Sequence, residues 1–365
     1  MENHSPRNFN YRVNNLNLIR LVAALQVLVG HLSQEFPVSS FNFLHAFKGV
    51  TVFFTISGFL IFWSFDNNPN LKQYWINRCL RIYPAMLVAL VCTIALMLLL
   101  GIIKCSIFEN FSFWLWICTQ LTFIQEFTPS ILHGFGYSNT PNPVLWTISV
   151  EMLLYMFIPL LYHWIRRYSL KGKTIVLLII GLFSYWQNQT GFITTFLQSI
   201  SNNGYWNIFI HPFCQFFSFT WFFIVGILYY LYKDIIIPKI AGKGGWILLI
   251  YIILCYFGFN NNVDVGSYAP NGYALFLYFV LTICVFSLAY TKPTFTKDTL
   301  GNTDISYGLY IYHMLVYKTF SELGLTSSIY AVLAVCLSLG IAYLSWIFIE
   351  KKAMKLKTKS LYKGS

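Results

Sequence analysis

Residues 19–36 read IRLVAALQVLVGHLSQEF, an apolar run that carries an arginine, Arg20, and a histidine, His31, among Leu, Val and Ala. About 20 apolar residues suffice for an α-helix to cross the hydrocarbon core of a bilayer. Ionisable groups at that depth are costly and are kept mainly for function. Eleven positions at about 100° each return to nearly the same helix face, so the two side chains share one stripe roughly 16 Å apart along the axis. The pair is spaced to flank a polar tunnel.

The remainder of the 365 residues repeats this pattern. With 57% hydrophobic residues and 10% charged ones and a mean hydropathy of +0.61, the chain reads as an all-α, polytopic membrane bundle, which excludes a soluble fold. Spans are expected at 16–35, 47–65, 84–103, 145–164, 174–187, 208–231, 245–259, 272–290, 305–320 and 328–349. The aromatic segment 111–127, FSFWLWICTQLTFIQEF, is apolar enough to cross as well. The basic residues decide how it is read. With ten spans and an inside N-terminus, 20 of the 24 Lys and Arg fall on the inner side; Lys48, Lys104 and Lys318 fall outside, and Arg20 lies within a span. The positive-inside rule thus favours ten spans with both termini cytoplasmic, and makes 111–127 re-entrant or lying on the outer face. The net charge of +12 then faces anionic lipid headgroups and calls for no nucleic acid. The polar N-terminus, MENHSPRNFNYRVNN, precedes a retained first span, since no small-residue cleavage signature follows it.

The eight cysteines are scattered without a CxxC or a Cys/His spacing suited to a metal, and read as small core residues, with neither metal site nor disulfide framework indicated. Chemistry therefore rests on four groups. The first is Arg20 with His31. A snorkelling helix-end arginine explains Arg20 as well as function does, whereas a neutral imidazole suits a general base near physiological pH. The second is Arg78 with Arg81, three apart before Pro84. In a helix they share a face fit to grip phosphates, though spacing alone favours ordinary positive-inside charge. The third is Glu151, the one acid clearly inside a span. It is placed at a depth similar to His31, so it serves to orient that histidine or, alternatively, forms a structural salt bridge with Arg20. The fourth is ISYGLYIYH, with Tyr307, Tyr310, Tyr312 and His313, where interhelical hydrogen bonding is the ordinary explanation.

In order along the chain, NLIRLVAALQVLVGH, GVTVFFTISGFLI, RCLRIYP, VLWTISVEMLLYMF, ISYGLYIYH and WIFIEKKAMK resemble acyltransferase family 3, the bacterial membrane O-acyltransferases of surface glycans. The resemblance runs from about residue 13 to 353. It implies a membrane acyltransferase domain over 1–353 followed by a short basic cytoplasmic tail at 354–365, without the fused extracytoplasmic hydrolase-like domain some relatives carry. It further implies His31 as catalytic base with Glu151 beside it, and Arg20, Arg78 and Arg81 toward an acyl-CoA donor. Trp146, Ser149, Tyr307, Tyr310 and His313 would line the substrate pocket. The expected reaction moves an acetyl group from cytoplasmic acetyl-CoA to a sugar hydroxyl of a lipid-linked or assembled surface glycan, with O-antigen (lipopolysaccharide), capsule, exopolysaccharide, peptidoglycan and lipo-oligosaccharide signals all open, in the bacterial inner membrane and without a metal. Succinyl is the alternative acyl group. Direct transfer and a covalent acyl-histidine route stay open, as do a proton-coupled transporter or flippase and an inactive scaffold.

Overall fold

The structure is a computed structural model that describes residues 10–38, 46–136, 139–200, 204–301 and 303–362, with side chains described for all of these except 204–209 and 357–362. Parts of the N-terminus, of the 128–144 stretch and of the 188–207 stretch fall outside the described residues.

Among the described residues the chain is helical and contains no strand. The helices run α1 Leu16–Glu35, α2 Gly49–Asn67, α3 Leu71–Leu99, α4 Phe111–Gln120, α5 Trp146–Ile165, α6 Leu170–Thr190, α7 Phe192–Ile200, α8 Gly204–Leu231, α9 Lys233–Ile240, α10 Gly244–Asn260, α11 Gly272–Ala289, α12 Phe295–Leu300, α13 Ser306–Glu322, α14 Ser328–Ser345 and α15 Lys351–Tyr362, the last two joined by a π turn at Trp346–Glu350. Each of the ten expected stretches coincides with a helix, but the count of ten is not reached on length and apolarity. Among the described residues seven helices are long and apolar enough to cross a membrane, or up to eight if α9 and α10, bent by 85°, form one broken span. α6 carries two lysines in its first turns, which lowers its apolarity, and α13, with 17 residues, is shorter than those seven. The ten residues of α4 are about half of what a crossing needs.

Large apolar side chains cover the outside of the bundle, among them Leu99, Leu160, Trp246 and Ile329. Exposed apolar area on this scale suits a lipid solvent and not water. The same fact corrects the reading of the cysteines. Only Cys214, Cys255 and Cys284 are buried, and the other five are exposed. When the solvent is itself apolar, a small apolar residue gains little by facing inward.

At the centre α1 packs on α13 and α2, α2 on α8, and α13 on α3 and α14. Two glycines set the closest of these approaches. A Cβ on Gly58 would lie 2.0 Å from the Phe223 carbonyl oxygen, and one on Gly226 would lie 2.0 Å from that of Thr55. α2 and α8 therefore meet backbone to backbone, as small residues permit in membranes. α3 also departs from expectation. It begins at Leu71, where the Asn70 side chain caps the Gln73 amide, and runs through Pro84 without a break. Arg78 and Arg81 therefore stand on a helix and not in a loop before one. A proline inside the helix is tolerated because neighbouring helices can satisfy the freed carbonyl.

Candidate active site

The Arg20 end of α1 holds a cluster of buried charge. Arg81 on α3 donates from Nη2 to Asp304 Oδ2 at 2.8 Å, and Arg20 Nη1 lies 3.7 Å from the same oxygen. Asp304 Oδ1 accepts from the Ser306 hydroxyl at 2.6 Å and from its amide at 3.3 Å. Burial pushes the Asp304 carboxyl up, but Arg81, Arg20 and the Ser306 hydrogen bonds outweigh it and hold it well below the usual carboxylate range. The Arg20 pair is thus with Asp304, and a direct Arg20–Glu151 salt bridge does not occur. Glu350, buried at the π turn, accepts from the Ser345 hydroxyl at 3.1 Å and adds a further acid beside this group.

Arg78 is differently placed. Its guanidinium lies over the rings of Tyr74 and Tyr155, 5.7 and 5.5 Å from their centroids, and its Nε is buried without a hydrogen-bond partner. Among the described residues it forms no salt bridge. The two arginines therefore share a helix but not a role: Arg81 is neutralised by Asp304 and Arg78 is not.

Next along the bundle a cavity of about 40 Å³ is lined by Arg20, Ser57, Thr147, Glu151, Tyr307 and Tyr310 with apolar neighbours. Glu151 Oε1 accepts from Tyr155 at 2.5 Å and from Ser57 at 3.2 Å. Tyr310 meets the Thr147 hydroxyl at 2.8 Å, and Thr147 spends its proton on the Val144 carbonyl at 3.0 Å, so Tyr310 is the donor between them. This volume admits a few waters and no thioester arm, so the tunnel expected between Arg20 and His31 is closed here, and His31 does not line the cavity.

His31 instead meets His313. Its Nδ1 lies 3.1 Å from His313 Nε2, and His313 Nδ1 lies 3.1 Å from the Leu309 carbonyl oxygen. A carbonyl can only accept, so His313 carries its proton on Nδ1 and offers the Nε2 lone pair. His31 must then donate from Nδ1, which leaves His31 Nε2 as the free basic nitrogen. His313 is fully buried and His31 half-buried. The partner of His31 is therefore a second histidine. The expected contact with Glu151 is not made: Glu151 Oε1 meets Ser57 and Tyr155 instead.

The other expected pocket residues separate. Tyr307 and Tyr310 line the small cavity, while Tyr307 also donates to the Ile82 carbonyl at 2.9 Å. Ser149 is fully buried and accepts the Gln125 amide at 3.3 Å, a structural contact. Trp146 lines a second, larger cavity beside Gln125, Asn142 and His211. Sequence reasoning missed Asp304, the acid that organises both arginines. Its signal was present as the acid two residues before the helix starting at Ser306, but only basic residues were weighed in that loop.

The family model for an acyltransferase domain, that of acyltransferase family 3, matches residues 13–349. The chain belongs to acyltransferase family 3. This family 3 acyltransferase is 30% identical over 361 residues to Nodulation protein 10 of Rhizobium leguminosarum bv. viciae, covering 94% of each chain. It is 30% identical over 174 residues to Acyltransferase MdmB of Streptomyces mycarofaciens, covering 44% of this chain and 42% of that one. Over 194 residues it is 27% identical to a protein of Staphylococcus aureus (strain COL) named as an O-acetyltransferase, covering 47% of this chain and 29% of the relative. No solved structure matches it. Family membership and its long apolar helices make this chain a membrane protein of the acyltransferase family, with proteins named as O-acetyltransferases among its relatives.

Proposed function

We propose that the protein transfers an acetyl group from acetyl-CoA to a hydroxyl of a cell-surface glycan, with His31 as general base. The observation that carries this reading is the His31–His313 hydrogen bond, because the Leu309 carbonyl at its far end fixes both tautomers and leaves His31 Nε2 with a free lone pair. In this reaction Nε2 takes the proton of the acceptor hydroxyl as its oxygen attacks the thioester carbonyl. The C–S bond then breaks, and the imidazolium returns the proton to the leaving thiolate, giving the ester and free CoA. His313 is a positioning residue that holds His31 in the reactive tautomer. A histidine nucleophile forming an acyl intermediate would use the same nitrogen.

On the donor side Arg78, with no acid on it, is the cation available to a CoA phosphate. Arg81 and Arg20 would shape the site through Asp304. Passage of the pantetheine arm requires the side chains around Arg20, Glu151 and Tyr307 to part, a gating step of the kind that accompanies many enzyme cycles. The asymmetry of Lys and Arg supports cytoplasmic termini and a His31 end turned toward the outer face of the inner membrane. The acceptor is O-antigen, capsule or exopolysaccharide.

The test is the O-acetyl content of surface glycans by proton NMR, before and after mild alkali. Cells would express no protein, the native chain or His31→Ala, with membrane levels matched by blot. An alkali-labile acetyl signal found only with the native chain supports the proposal. Its absence in all three removes the acetyl reading, and its persistence in the variant removes His31 as base.

A further inference from the structure

A third cavity, of about 500 Å³, is a groove between α3, α13 and α14. Its volume lies within the roughly 300–1,000 Å³ of ligand pockets. On α3 the lining residues Val88, Cys92, Ala95 and Leu99 recur every three or four positions, which makes one helix stripe about 16 Å long. That is close to half of the ~30 Å hydrocarbon core, the depth of one leaflet. Leu99, Leu337, Leu344 and Phe348 in the lining are exposed, so the groove opens toward the lipid.

The few hydroxyls in the lining are already used. Tyr312 on α13 donates to the Ala85 carbonyl of α3 at 3.0 Å, Thr319 donates to the Leu315 carbonyl at 2.7 Å, and Ser345 donates to Glu350 at 3.1 Å. A polar ligand would give up its hydration here without gaining these donors. A hydrocarbon chain gains dispersion contacts along the whole stripe.

The charge at one end selects among lipids. At Phe348 the lining runs through the π turn directly into α15, which packs on α3. Lys352 Nζ lies 5.7 Å from the centroid of the Phe348 ring, and both Lys351 and Lys352 are exposed. Among the described residues neither forms a salt bridge. Over 351–365 the chain carries six lysines and no acid. A neutral lipid would fill the groove and leave these cations unanswered. An anionic headgroup meets them, with a gain of about fivefold in affinity for each lysine close to it. We infer that the groove is a binding site for one anionic glycerophospholipid, with an acyl chain along α3, α13 and α14 and the phosphate at Lys351 and Lys352. The site does not depend on the acetyl-transfer reading. Its occupant lies across the seam between α3, which carries Arg78 and Arg81, and α13, which carries His313, and so braces the two helices against each other.

The experiment is native mass spectrometry of the full chain in dodecyl maltoside, titrated with phosphatidylglycerol or phosphatidylcholine of identical acyl chains, with thermal unfolding read alongside. Native protein would be compared with Lys351→Gln/Lys352→Gln and with Ala95→Trp, which fills the groove from an exposed position. Native protein is expected to retain one phosphatidylglycerol per chain, with an affinity about fivefold or more above that for phosphatidylcholine, and to unfold at a higher temperature with it. The double lysine variant should bind the two lipids about equally, and high salt should have the same effect on native protein. Ala95→Trp should lower the affinity for both lipids about fivefold or more, because overpacking displaces the chain. If Ala95→Trp fails to fold, Leu337→Trp on the α14 wall takes its place. Equal affinities of native protein for the two lipids overturn the site, as does a preference that survives loss of both lysines. Full phosphatidylglycerol affinity in the groove-filling variant, or displacement of the lipid by an equal concentration of soluble glycerol phosphate, would show a headgroup held without the groove and overturns it as well.

Discussion

The two ends of α1 treat polar atoms in opposite ways. At the Arg20 end ionised groups pair: Asp304 holds Arg81 at 2.8 Å and Arg20 at 3.7 Å, and Ser306 occupies its other oxygen, while Arg78 Nε and Glu350 Oε2 keep no hydrogen-bond partner. At the His31 end the two histidines are joined by a hydrogen bond between neutral rings. Self-satisfied charge in a low-dielectric interior fixes geometry and is costly to break. The first end is held by ion pairs and the second by a hydrogen bond whose direction the Leu309 carbonyl sets.

The contrast breaks most readily at Asp304. Asp304→Asn leaves Arg81 and Arg20 buried without their acid, and should lower stability by about 3–5 kcal/mol, read as the unfolding midpoint of the purified protein in detergent. Stability within about 1 kcal/mol of native, the range of an exposed pair, would mean that Asp304 does not hold the two arginines. The pH dependence carries a defined sign. Because the folded Asp304 carboxyl is held below its ordinary value, its contribution is fully present above about pH 4 and is lost as pH falls through the folded value. Native protein should lose stability on acidification below about pH 4, and Asp304→Asn should lack that part of the slope.

His313→Ala sharpens the other side of the comparison. If His313 only fixes the tautomer of His31, acetyl transfer should fall by a part of the roughly 10²–10⁴-fold that general-base catalysis supplies. The KM for acetyl-CoA should stay unchanged and the pH–rate profile should shift. A pure structural role would lower the amount of folded protein and leave the profile in place. Arg78→Gln and Arg81→Gln separate the two arginines by a smaller effect. The first should weaken acetyl-CoA binding by about tenfold, as for one lost charge-assisted hydrogen bond of about 1.5–3 kcal/mol, with little change in stability. The second should act mainly on stability. Equal losses of CoA affinity in both would show that Asp304 releases Arg81 to the donor.

Much of this was legible in the chain because it depends on local pattern. The apolar runs gave the helices, since in lipid the backbone has to satisfy itself within each segment. The 11-residue spacing of Arg20 and His31 placed both on α1, and the RCLRIYP stretch placed Arg78 and Arg81 together. Boundaries were less legible. Pro84 reads as a helix start, yet α3 begins at Leu71, because a proline in a packed membrane helix costs less than one in water.

Which partner each ionisable group takes was not legible. Apolar periodicity states that Glu151 and His31 lie at similar depths but not the angle at which α5 and α1 face each other. Only packing decided that Glu151 meets Tyr155 and Ser57, that His31 meets His313, and that Asp304, 223 positions from Arg81 in sequence, neutralises it. Sequence by itself determined the solvent, the helices and the family, all of which follow from side-chain transfer energies and motif order along one strand of chain. The tertiary structure decided the pairing of charges and the free nitrogen of His31, because hydrogen-bond direction and ion pairing depend on distances between helices that no linear spacing encodes.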